Sequence, residues 1–141
     1  MSTRGYFIIR KIDKMKNKFW DIIEELDWKG ACKETERPYI ITRERFENII
    51  AKFDSTFGSE IEKTAKAYRQ ILLVKLREYS FEKYDDRYVF PRVSDDSLWD
   101  LTAHIVGLGE KVYNNIMEHP EQIVDYLNEY QENFEYTFNI K

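Results

Sequence analysis

The sequence predicts an all-α fold, a single compact bundle of about five helices with room for one minor strand pair. Three observations lead there. Apolar residues recur at three- and four-residue steps through most of the chain, the signature of helices with one buried face. Glycine and proline number only 5 and 3 in 141 residues, too few to punctuate the many short strands of a β-sandwich. Hydrophobic residues make up 43% and aromatic ones 16%, enough apolar surface to offset the entropy lost on ordering a chain of single-domain length.

In chain order, Tyr6 to Ile12 has β-favouring residues and reads as a short strand. Ile12, Met15, Phe19, Ile22 and Leu26 then predict a helix from about Asp13 to Asp27. Trp28 to Ile41 shows no sustained period and holds Gly30 and Pro38, which marks a connection. Thr42 is suited to cap the next helix, striped by Phe46, Ile49, Ile50, Phe53 and Phe57. Gly58 suits its end, and Ser59 with Glu62 forms a capping box that starts another, giving a helical hairpin. That helix carries Ile61, Ala65, Tyr68, Leu72, Leu76 and Tyr79, widened by Ile71, Leu73 and Val74 toward a second neighbour.

Residues 80 to 93 read as a loop with a short strand, Pro91 holding Phe90 extended. From Ser94 a long helix is expected, buried along Leu98, Leu101, Ile105, Leu108, Val112 and Ile116 and ending before Pro120. Pro120 then opens a last helix through Ile123, Leu127 and Tyr130. Phe134, Tyr136, Phe138 and Ile140 fit either period. The chain reads as one domain over residues 1–141.

Ser94-Asp95-Asp96-Ser97-Leu98-Trp99-Asp100-Leu101, followed by Gly109, Tyr113 and Pro120, resembles the bacterial family called domain of unknown function 4240 (DUF4240). That family's run is Ser-Asp-Asp-x-Phe-x-Asp-Phe before a glycine-containing hydrophobic helix. Phe19-Trp20-Asp21-Ile22-Ile23-Glu24 is similar to the family's opening. Leu98 and Leu101 replace the usual phenylalanines, and Thr102 and His104 stand where arginine and tryptophan are expected. The resemblance implies an α-helical fold and carries no activity.

Several function classes recede on composition alone. A net charge of −4 argues against nonspecific nucleic-acid binding, which depends on basic residues displacing counterions. No apolar run approaches the roughly 18 residues of a membrane span, and no secretory signal is expected. A lone Cys32 allows no internal disulfide and no multi-cysteine zinc site, and with no histidine near it in sequence it makes an improbable nucleophile; the cytoplasm is expected. Charge is uneven. Residues 1–18 are basic and 118–140 acidic, which suits two solvated faces or ends that meet within one chain or across a homodimer.

The candidate binding face is Asp95, Asp96, Trp99, Asp100 and His104. Asp95 and Asp96 lie in a first helical turn, where unpaired N–H groups and the helix dipole favour carboxylates, so capping explains them without any ligand. Asp96, Asp100 and His104 fall four apart, hence on one face, roughly opposite the apolar stripe. Three such groups could hold a divalent metal only with ligands from a second element, and His104 could simply flank the core; no metal and no cofactor is assigned. Trp99, between acidic neighbours, is the residue to watch as an interface anchor. No catalytic residue is assigned. The first functional reading is a noncatalytic protein-interaction or regulatory domain. The second is a small enzyme or metal- or ligand-binding domain using Asp96, Asp100 and His104. The third is an immunity or antitoxin-like binder of a basic partner.

Overall fold

The computed structural model describes residues 18–80, 95–123 and 125–126, without the side chains of residues 79, 80 and 95–97. All regular structure among them is helical, as expected: α1 (18–26), α2 (Trp28–Glu34), α3 (Pro38–Ile50), α4 (Ser55–Ser80), α5 (Asp95–Gly107), α6 (Glu110–Glu118) and a 3-10 turn at Pro120–Gln122. The suggested strand segments, within residues 1–12 and 84–93 and in the tail, lie outside the described residues.

α1 turns Phe19, Trp20, Ile22, Ile23 and Leu26 inward, on the spacing its sequence predicts. It stops at Asp27, whose backbone is left-handed (φ 49°), a conformation aspartate tolerates better than most residues. The same residue begins α2: its Oδ1 accepts from the Gly30 N–H at 3.1 Å. Arg45 of α3 reaches back to the end of α1, its Nη1 donating to the Leu26 carbonyl at 2.8 Å. These two residues make a sharp corner rather than a loop.

The stretch from Trp28 to Ile41 is therefore mostly helical where a connection was expected, with only Thr35, Glu36 and Arg37 linking α2 to α3. Asp27 nucleates α2, and Pro38 takes the first position of α3, where its missing N–H is no loss. Thr42 is not a cap. It is buried inside α3, its hydroxyl donating to the carbonyls of Pro38 and Tyr39.

The hairpin of α3 and α4 exists, but its corner lies earlier than Gly58. Asp54 heads α4 by accepting from the Thr56 and Phe57 N–H groups and from the Thr56 hydroxyl, which together hold its carboxyl below the usual range. Gly58 and Ser59 fall within α4. Gly58 is there for close approach: a Cβ would sit 3.3 Å from Ile50 Cδ1 across the hairpin. Ile61, Ala65, Tyr68, Leu72 and Leu76 are buried as predicted, whereas Ile71 and Val74 are exposed at 40% and 57%.

The long helix expected from Ser94 is two helices. Gly109, at φ +107°, breaks it after Leu108 and heads α6, an angle that side chains with a Cβ rarely adopt. Pro120 opens a 3-10 turn that leads into helix at residues 123 and 125–126, so the expected last helix begins one turn later than Pro120. Leu98, Leu101, Ile105 and Ile116 are buried.

In α5, every residue from Leu101 through Gly107 is buried, including Thr102 and His104. A helix enclosed on all sides is a central one, and α5 packs on both α4 and α6. Around it a single core brings Phe19, Trp20, Tyr68 and Tyr113 together with ring centroids 4.9 to 5.6 Å apart. The Tyr113 hydroxyl donates to the Tyr68 carbonyl at 2.9 Å, fastening α6 to α4, and burial raises its pKa. No described helix is long and apolar enough to cross a membrane.

Candidate functional site

The residues singled out on α5 divide by depth. His104 is in the core, 1% exposed, so the face expected opposite the apolar stripe is not a solvent face at this turn. Its Nδ1 accepts a 2.9 Å hydrogen bond from the indole N–H of Trp28, which is wholly buried on α2. An indole nitrogen can only donate, so Nδ1 carries no proton and the neutral ring has its proton on Nε2. Desolvation pushes the pKa down to about 4, and the facing donor works in the same direction because a protonated Nδ1 would point its hydrogen at another hydrogen. At neutral pH His104 is an uncharged acceptor.

Trp99 and Asp100, a little more than one turn earlier, are half-buried and reach the surface at the seam with α4. There the structure adds a residue that sequence reasoning missed. Arg69 leans across from α4 and lays its guanidinium over the Trp99 ring, with Cζ 3.9 Å from the ring centroid. Its Nε donates to Thr102 Oγ1 at 3.2 Å and its Nη2 to the Trp99 carbonyl at 3.0 Å. Thr102 donates its own hydroxyl to that carbonyl. Burial lowers the Arg69 pKa to about 10, and the nearby Asp100 carboxylate partly reverses the effect. Arg69 thus stays a cation, held rigid at three points of contact.

The side chains of Asp95 and Asp96 lie outside the described residues; their backbone opens α5 where the sequence placed a helix start. Asp100 and Trp99 are brought together with Arg69, and His104 is separated from them by depth. Among the described residues, no group of three or more His, Cys, Asp or Glu side chains could hold a metal ion. Cys32 is buried and its thiol pushed up to about 12, which keeps it protonated and a poor nucleophile.

Arg69 gave no sequence signal. It flanks the α4 stripe between Tyr68 and Leu72, where a basic residue is ordinary on any amphipathic helix. One indirect clue was Thr102, which stands where an arginine is expected; the structure delivers a guanidinium to Thr102 from the neighbouring helix instead. Chemically, the seam offers an indole with one face stacked, a fixed cation, a carboxylate and a hydroxyl already engaged. Among the described residues, no nucleophile and base stand together in it.

A family model described as protein of unknown function (DUF4240) matches residues 15–139. No curated protein and no solved structure matches the chain.

Proposed function

Because the chain belongs to the DUF4240 family, whose description supplies no activity, we propose from the site itself that it is a noncatalytic protein-interaction domain acting in the cytoplasm, with Trp99 at the centre of its contact surface. The observation that carries this reading is the stacked pair: a half-buried tryptophan at a helix start, fixed in place by the Arg69 guanidinium at 3.9 Å. Tryptophan and arginine dominate interface energetics because they bring large contact area, and rigid side chains lose little entropy on binding. Asp100, on the same helix, contributes to the polar rim of that surface. The lone, buried, protonated Cys32 fits a reducing compartment.

The test is affinity capture from cells of origin with the full chain and with an Asp96→Ala/Trp99→Ala double variant, both first shown to melt cooperatively. A defined protein, or a second copy of the chain, recovered in stoichiometric amount with wild type and lost with the variant is the expected result. Recovery of no protein, together with a small molecule or metal retained in native mass spectrometry, would replace this reading with the ligand-binding one.

A further inference from the structure

We propose that Arg69, standing on the Trp99 indole, receives a carboxylate from the partner, so that this surface takes an acidic segment; the inference rests on Trp99 being an interface anchor. Both hydrogen bonds of the guanidinium go to neutral oxygens, those of Thr102 and the Trp99 carbonyl. Among the described residues no hydrogen bond or ion pair joins a carboxylate to it; the Asp100 charge raises its pKa, and Asp100 has a partner of its own. A cation drawn partly out of water is ordinarily matched by a bonded anion. Arginine has five N–H donors, and with Nε and one hydrogen of Nη2 engaged inward, the edge formed by Nη1 and Nη2 has the spacing of a carboxylate's two oxygens. On the same flank of α4, Lys66 is exposed one turn before Arg69 and Leu73 half-buried one turn after, adding a second positive charge and an apolar contact.

The neighbouring acids oppose such a ligand, Asp100 most closely and Glu62 one turn beyond Lys66. A basic partner would instead favour Asp100 and the outer face of the indole. Charge variants separate the two.

Two peptides differing only in sign, one alternating glutamate with leucine and one lysine with leucine, are titrated into the labelled full chain while the Trp99 indole N–H is followed by NMR. The glutamate peptide should move that signal and the lysine peptide should not. Arg69→Gln should weaken binding by about tenfold or more, Arg69→Lys by less because it keeps the charge and loses only the fork, and Asp100→Asn should tighten it. Melting temperatures of all three variants guard against reading loss of fold as loss of binding; should Arg69→Gln not fold, Asp100→Asn decides, and no tightening there overturns the assignment. So does an unmoved Trp99 signal, a lysine peptide that binds as well, or a folded Arg69→Gln chain that binds as wild type does. If the double variant still loses a captured protein in any of those cases, the interaction reading stands and the carboxylate assignment alone is withdrawn.

Discussion

Acidification should destabilise this fold through His104 over a pH range set by its burial. In the unfolded chain its imidazole titrates near 6.5, and in the core near 4. Between those values the unfolded state binds a proton that the folded state does not, so stability is complete above about pH 6.5 and falls as the pH drops toward 4. Each decade of difference amounts to about 1.4 kcal/mol, which gives a loss of about 2 kcal/mol at pH 5 and about 3 kcal/mol at pH 4. Against a typical total of ~5–15 kcal/mol, that is a large share. Carboxylates also titrate toward pH 4, so the comparison needs a matched variant. His104→Gln is suitable, since its amide oxygen can accept from Trp28 and carries no charge. Urea midpoints for both proteins at pH 7, 6, 5 and 4.5 give the two stability curves. Wild type should fall below its own pH 7 value by about 2 kcal/mol more than the glutamine variant does by pH 5. Parallel curves, or an NMR titration placing His104 near 6.5, would refute the burial argument.

Trp28→Phe removes the indole donor while keeping an aromatic ring, leaving His104 Nδ1 unsatisfied in the core and a small void beside it. A loss of roughly 2–4 kcal/mol is expected, read from chemical denaturation at pH 7, and a loss below about 0.5 kcal/mol would mean that the hydrogen bond contributes nothing. Gly109→Ala places a Cβ at φ +107°, 3.1 Å from the movable Glu24 carboxylate. The backbone angle sets the effect, about 1–2 kcal/mol of destabilisation in a thermal melt, and an unchanged or higher melting temperature would contradict that conformation.

The fold class was legible because periodicity is a local property. Ile61 through Leu76 and Leu98 through Ile105 show their buried stripes in sequence, and both are found in the core. Helix boundaries were harder to read because a cap works through competition with its neighbours. Ser59 and Glu62 make a capping box on paper, but Asp54 five residues before Ser59 already caps three donors, and the helix runs on through Gly58. α2 was missed since seven residues with a glycine carry too little period; Asp27 starts it, by a hydrogen bond that no pattern of hydrophobicity records.

The site was legible in half. Trp99 and Asp100 stood out as polar and aromatic residues at a helix start, and both reach the surface. Arg69 and Trp28 did not, because each meets its partner across a long separation, 33 residues from Arg69 to Thr102 and 76 from Trp28 to His104. Such pairings come from how helices pack, which spacing within one helix does not encode. His104 looked like a neighbour of Asp100 by its four-residue step, whereas burial around the whole circumference of α5 took it inward.

That enclosure also governs how the chain comes off the ribosome. The helix that fills the centre starts at Asp95, after α1 to α4 have been synthesised, and until it emerges the inward faces of Phe19, Leu26, Ile61 and Leu72 have nothing to close around. Nascent chains halted before α5 should remain sticky and protease-sensitive, and the domain should acquire its protection all at once, when the last third of the polypeptide arrives.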